Sequence, residues 1–363
     1  MRSVSNILVI QTAFIGDVIL ALPLIQVIKE YFAHANIDVV LVPKASELLK
    51  NHPAVREVIV YDKYGNDRGW RGFWKTAGKL RENRYELAII PHRSLRSALL
   101  AMFAGIPLRI GFKKGIAQVL HTKAVRYQDE IHEIERNLSL LTGIGIEHTE
   151  RVLPNLYPSS ESTAKIEEIC REFRFDTTNL IAIAPGTIWN TKRWLKERFA
   201  EVAKELVKDG FRVVLVGGAE DRELCEEIVK LAGGDGIVST AGRLSLMESS
   251  ELIRRCNVMI CNDSAPMHLA VAMRTPVVAI FGATVPEFGF APYGRDDVIV
   301  ETRGLRCRPC SIHGGHKCPI ETFDCMKNIS ADKVLAKVSY VLEKSGRERK
   351  PSRNRHSASP REG

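Results

Sequence analysis

The chain has 363 residues, 45% of them hydrophobic and 26% charged, with a formal net charge of +9 and a mean hydropathy of -0.08. At roughly 150 residues per domain this length predicts about two domains, and the composition excludes a multi-span membrane protein. No stretch reaches the ~18 uncharged apolar residues of a spanning helix, and no charged region, apolar core and cleavage site follow one another at the start, so a cytoplasmic location is expected.

Part of the positive charge sits at the end: residues 345–363 carry five Arg and one Lys against two Glu. An Arg/Ser/Pro tail without apolar periodicity reads as a disordered terminus, with RNA or membrane binding as the alternative. The surplus in the body suits phosphorylated substrates or an anionic membrane surface.

In chain order, "ILVIQ", "IDVVLV", "EVIVYD" and "LAIIP" read as strands separated by amphipathic stretches. The same rhythm restarts near residue 179 with "LIAIAPG", "FRVVLVGG", "NVMICND" and "PVVAIFG". Apolar β-branched runs alternating with helices are the pattern of parallel sheets buried on both faces. "PNLYPSS", residues 154–160, suits a linker. The expected organisation is α/β, with two doubly wound domains over residues 1–155 and 156–329, a helix over 330–344 and a tail over 345–363.

Ligands of open α/β sheets sit beyond the carboxyl ends of the strands, so the residues after each strand carry the functional expectation. After the first strand comes "TAFIGD", where Asp17 suits a helix cap as well as a cleft carboxylate. "PGTIWNTKRW" places Thr187 and Lys192 after a glycine turn, which could hold phosphate or leave a solvated lysine, and it is not a Walker A loop. In "NDSAPMHLAVA", Asp263 and Ser264 end a strand and open a helix whose amides could hold a phosphate, with His268 one turn in. "VGGAED" offers Glu220 and Asp221 where a ribose is often held, without the GxGxxG spacing. HExxH, GxSxG and an Asp-x-Asp pair are missing. In "CRPCSIHGGHKCPIETFDC", the thiols Cys307, Cys310, Cys318 and Cys325 could hold a structural zinc, although the later spacing is irregular for a zinc ribbon.

Together "ILVIQTAFIGDVILALPLI", "PGTIWNTKRWLKERFAEVA", "GRLSLMESSELI", "NDSAPMHLAVAMRTPVVAIFG" and the cysteine loop resemble the lipopolysaccharide heptosyltransferases over most of the chain. The resemblance implies a GT-B fold, two Rossmann-like domains facing a central cleft, with acceptor held mainly by the first and nucleotide sugar by the second. It implies inverting transfer of heptose from ADP-heptose to the lipid A-linked inner core, without a required cofactor or cation, at the inner face of the inner membrane. Asp17 then matches the catalytic base, Thr187 and Lys192 the phosphate contacts, and Asp263, Ser264, Ala265 and Met267 the diphosphate loop, followed by His268. Glu220 or Asp221 would take the ribose and Leu244 the adenine. Many relatives have glycine after the serine of that loop, whereas Ala265 and Pro266 stand here, and Pro266 has no N–H to offer a phosphate.

Other classes remain open on sequence: an NAD-dependent or other nucleotide-binding module of the same fold, a nucleic-acid binder using the tail, or an ADP-sugar transferase acting on another glycan or a protein serine. No nucleic-acid partner is expected. "YGNDRGWRGFWK" suggests a basic, aromatic site for an anionic sugar lipid.

Overall fold

A computed structural model describes residues 4–175 and 177–346. The tail expectation therefore falls almost wholly outside the described residues. The first half runs β1 (Asn6–Gln11), α1 (Ile15–Tyr31), β2 (Asn36–Leu41), β3 (Glu57–Val60), α2 (Gly69–Glu82), β4 (Leu87–Ile90), α3 (Leu95–Phe103), β5 (Leu108–Phe112), β6 (Lys123–Val125) and α4 (Glu133–Ser139). The second runs α5 (Ser160–Glu172), β7 (Leu180–Ala184), α6 (Lys196–Lys208), β8 (Arg212–Leu215), α7 (Arg222–Ala232), β9 (Ile237–Ser239), α8 (Leu246–Arg254), β10 (Val258–Asn262), α9 (Ala265–Ala272), β11 (Val277–Phe281), β12 (Val298–Glu301), α10 (Asp324–Lys327) and α11 (Ala331–Lys344).

Each half builds one six-stranded sheet, with orders β3-β2-β1-β4-β5-β6 and β9-β8-β7-β10-β11-β12. All ten strand pairings are parallel. Counted within each half, the two orders are the same, 3-2-1-4-5-6, which is that of dinucleotide-binding sheets. This order reverses direction between β1 and β4 in one sheet and between β7 and β10 in the other. Helices on either side of these reversals cover opposite faces, so a crevice opens at the carboxyl ends of those strands.

Three apolar clusters hold the layers. The outer face of the first sheet, with Leu8, Ile10 and Ala88, is covered by Phe73, Ala77 and Leu80 of α2 and Leu100 of α3. The outer face of the second sheet is covered by α6, α7 and α11, around Trp194 and Phe199. Between the sheets one cluster joins both halves: Val18 to Ile28 of α1 meet Met267 to Ala272 of α9, above Ile7 and Val9 on one side and Ala182 and Met259 on the other. α1 therefore has no polar stripe, because one side packs on its own sheet and the other on the second half. Leu22→Ala in this seam should cost ~2–5 kcal/mol, since neither half can collapse alone to fill the hole.

Candidate active site

Four strand exits meet at the two reversal points. In the first sheet, Thr12 after β1 and His92 after β4 are joined by a 3.0 Å bond between Thr12 Oγ1 and His92 Nδ1. In the second, Asn262 at the end of β10 donates from Nδ2 to the Pro185 carbonyl after β7 at 2.8 Å. Ser264 Oγ reaches the Gly186 carbonyl at 3.5 Å.

Asp17 occupies the third position of α1, one turn inside the helix cap at Phe14. Its Oδ2 accepts from the Phe14 N–H at 3.1 Å, so the carboxylate does cap the helix, from within the first turn. Burial raises its pKa above the ordinary aspartate value, while the Phe14 bond and the charges of His313 and Arg93 pull it back down. Across from it stands Glu133 at the start of α4, whose own pKa is raised chiefly by burial and further by Asp17, with Arg136 opposing. A half-buried carboxylate with raised proton affinity is what a general base requires.

On the other side, Lys192 Nζ lies 2.6 Å from Asp263 Oδ2, and the same oxygen accepts from Thr284 Oγ1 at 2.6 Å. Lys192 is held from below by a loop turn: Gly315 N donates to Thr191 Oγ1 at 2.7 Å and Thr191 N to the Gly315 carbonyl at 3.0 Å. Gly314 needs to be glycine there, because its φ is +85° and a Cβ would come 2.9 Å from Lys192 Cγ. His268 joins the two sides. A Cβ on Gly16, next to Asp17, would stand 3.1 Å from His268 Cδ2. Burial pushes the imidazole down to about 3, helped by the nearby charges of His132 and Lys192, so it is neutral at ordinary pH.

The other expected residues are placed as follows. Ser264 precedes α9, Ala265 opens it, and the Met267 side chain is buried in the seam core. Thr187 is half-buried, and its carbonyl accepts from Arg193 at 2.9 Å. Asp221 is turned inward: its Oδ2 accepts from the Gly218 N–H at 3.0 Å, and a Cβ on Gly186 would collide with its carboxylate. Glu220 is exposed and lines an outward groove of about 980 Å³ with Arg193 and Lys196. That groove is lined by none of Asp17, Lys192 or Asp263. Leu244 packs at the edge of the seam core just before α8. Trp70 and Trp74 lie on α2, which covers the face of the first sheet opposite α1.

The zinc expectation is corrected. Among the described residues no three Cys, His, Asp or Glu side chains stand close enough to share a metal ion. Cys307, Cys310, Cys318 and Cys325 are free thiols. Burial, with the neighbouring Cys310, Cys318 and Cys307 adding, lifts the Cys325 thiol to about 11. The loop is instead anchored by Arg308, which donates to the Gly282 carbonyl at 2.6 Å and the Thr284 carbonyl at 2.7 Å and pairs with Glu301 at 2.7 Å.

Sequence reasoning passed over His92, Arg93, Glu133 and Thr284. His92 and Arg93 directly follow the "LAIIP" strand and line, with Lys114 and Gly115, a cavity of about 320 Å³ beside β4 and β5. The strand-exit rule applied to that strand would have found them.

Two parallel sheets of dinucleotide-binding order, with a carboxylate on one rim and a lysine-bearing glycine turn on the other, define a transferase of the GT-B architecture. The family model of glycosyltransferase family 9 (heptosyltransferase) matches residues 73–316, and the chain belongs to that family. It is 31% identical over 300 residues to lipopolysaccharide heptosyltransferase 2 of Escherichia coli K12, covering 78% of this chain and 84% of the relative. It is 29% identical over 352 residues to lipooligosaccharide heptosyltransferase 2 of Haemophilus influenzae, covering 93% and 100%. Among solved structures, the family 9 glycosyl transferase of Veillonella parvula superposes with a TM-score of 0.85 at 25% identity, over 93% of this chain and 98% of that one. The E. coli ADP-heptose lipopolysaccharide heptosyltransferase II superposes at 0.78 and 27% identity, over 94% and 99%.

Proposed function

We propose that this enzyme transfers L-glycero-D-manno-heptose from ADP-heptose to the inner core of a lipid A-linked acceptor, with inversion at the anomeric carbon. The observation that carries this reading is the meeting of a proton-accepting carboxylate, Asp17, with a cationic Lys192 across His268, in a chain whose similar relatives bear the heptosyltransferase 2 name.

In this reading Asp17 takes the proton from the acceptor hydroxyl while that oxygen attacks the anomeric carbon from the face opposite ADP. The bond from carbon to diphosphate oxygen breaks, and the charge left on ADP is met by Lys192 and the positive end of α9, where Ala265 has an N–H to offer and Pro266 has none. Asp263 is anionic and bound to Lys192, so it holds the lysine in place more readily than it could touch a phosphate itself. Thr284 fixes Asp263 in turn. Neutral His268 fills the gap between the rims and adds no charge to compete with Lys192. Of the two ribose candidates, Glu220 is the one whose carboxylate is not committed to backbone amides.

Acceptor binding by the first half is supported by Arg93 and Lys114 around the cavity beside β4 and β5, a cationic setting for an anionic sugar. No described helix is long and apolar enough to cross a membrane. A cytoplasmic enzyme in peripheral contact with the inner face of the inner membrane is the setting this acceptor requires.

Mass spectrometry of products after mixing the protein with ADP-heptose and heptose-deficient core acceptors tests the reading. A product heavier by one heptose is expected, and it should form in EDTA because lysine and helix amides supply the positive charge. Transfer only to an unrelated glycan or to a protein serine would reassign the acceptor.

A further inference from the structure

Between residues 69 and 127 the chain carries twelve Lys or Arg against two acidic residues. That segment alone holds a net charge of +10, more than the +9 of the whole protein. It is also where large apolar side chains stand in solvent. The inner stripe of α2 (Phe73, Ala77, Leu80) is buried, yet one turn apart on its outer side Trp70 is 70% exposed and Trp74 50%. The Trp74 ring lies 4.7 Å from that of Phe103, the exposed last residue of α3. α3 in turn packs against the short turn Ile116–Leu120, where Ile116 is 71% exposed and Val119 76%. Arg71, Lys75, Lys113 and Lys123 are exposed among these groups.

We propose that α2, α3 and the Ile116–Leu120 turn form a docking face for an anionic lipid bilayer. Indole rings with an apolar body and one N–H settle at the headgroup boundary, and interspersed lysine and arginine are drawn by an anionic surface. A protein partner fits less well, since lysine is depleted from the cores of protein interfaces. A nucleic acid fits less well too, because Trp74 packs edge-on against Phe73 and Phe103 instead of offering a free ring as a stacking platform. α2 and α3 lie across the first sheet from the seam between α1 and α9, so docking leaves that seam free, while the Ile116–Leu120 turn follows directly on Lys114 and Gly115 at the rim of the cavity beside β4 and β5. The inference rests on the proposed lipid-linked acceptor only for which membrane is meant.

The test is flotation of the full chain with vesicles of phosphatidylcholine alone and of phosphatidylcholine with about 30% phosphatidylglycerol. Binding to the anionic vesicles should exceed that to the neutral ones by at least ~10-fold, and should fall as salt rises. Trp70→Ser with Trp74→Ser, and separately Arg71→Glu with Lys75→Glu, should each lower partition by ~10-fold, while turnover on a delipidated, water-soluble acceptor stays within ~2-fold. Should the serine pair misfold, the charge-reversal pair at exposed positions still decides. Failure of the wild type to float with anionic vesicles, or undiminished flotation of both variants, would overturn the proposal. So would a dimer abolished by the serine pair, which would give the face to a second copy, or stronger binding to an RNA oligonucleotide than to anionic vesicles. Vesicle binding needs no turnover, so its failure and a failure of the heptosyltransferase reading remain distinguishable.

Discussion

Each sheet presents one aspartate beside its reversal point, Asp17 after β1 and Asp263 after β10, and the two are treated in opposite ways. Asp263 has a lysine at 2.6 Å and a threonine hydroxyl on the same oxygen. Asp17 has two backbone N–H groups, that of Phe14 at 3.1 Å and its own, with the charges of His313 and Arg93 and another carboxylate, Glu133, nearby. Burial without a close cation makes a carboxylate reluctant to ionise and hence able to take a proton, whereas pairing commits it to holding its cation. One strand order, used twice, thus yields a carboxylate with raised proton affinity on one rim and a lysine anchored by its own aspartate on the other.

The sharpest way to break this comparison is Asp17→Asn. Asparagine still accepts from Phe14 but cannot take a proton, so turnover should fall by at least ~10²-fold while donor affinity stays near wild type. The variant should be no less stable. A carboxyl group whose folded pKa lies above its unfolded value loses stability as pH rises through that window, and removing it lifts the penalty at neutral pH. The acid limb of kcat/KM should lie above the ordinary aspartate pKa and vanish in the variant. Near-normal turnover would return Asp17 to a capping role alone.

Lys192→Ala should be the next largest effect, with ADP affinity and turnover both lower by ~10-fold or more, since a phosphate partner is lost in ground and transition state alike. It should also cost ~1–3 kcal/mol in urea unfolding, because Asp263 is left buried with Thr284 as its remaining partner. Unchanged ADP binding would show that Asp263 holds Lys192 for structure alone.

The sequence made one side of this comparison easier to see than the other. Central strands such as "ILVIQ" and "NVMICND" were legible because both faces are buried and the apolar run is unbroken. β5, β6, β9 and β12 were not: β5 contains Arg109 and Gly111, β6 and β9 are three residues long, and β12 lies at a sheet edge. Asp17, Lys192, Asp263 and His268 were legible as residues that follow strands. Their mutual arrangement was not, since a strand-exit rule does not tell that Lys192 would pair with Asp263 or that Gly16 would touch His268. Glu133 opens a helix more than a hundred residues from Asp17 and belongs to no local motif. The zinc expectation for the cysteine loop is not confirmed, because spacing alone does not report whether the thiols come within shared ligand distance of one another.

His268 sharpens the comparison through pH. Its folded pKa of about 3 lies below the unfolded value of 6.5, so the unfolded chain binds the extra proton between them. Its contribution is therefore complete above pH 6.5 and is lost as pH falls towards 3. At about one pH unit below 6.5, His268→Gln should recover about 1 kcal/mol of that loss in the pH dependence of unfolding. An unaltered slope would place a charged imidazole between the two rims.

The smallest expected effect concerns the seam that brings the rims together. Glu47, in the 3-10 turn after β2, points its carboxylate at the start of α8, accepting from Leu246 N at 3.3 Å and Met247 N at 3.2 Å. This carboxylate from the first half meets the positive end of a helix in the second, an interaction of typically 0.3–1 kcal/mol near a surface. Glu47→Gln keeps one acceptor and removes the charge, so unfolding free energy should fall by less than ~1 kcal/mol, and the difference should shrink as salt rises. Turnover should change less than for either rim variant, because Glu47 touches neither Asp17 nor Lys192. A loss of turnover as large as that of Lys192→Ala, measured in the same assay, would mean that the fit of the halves is set by this single charge and not by the apolar packing of α1 on α9.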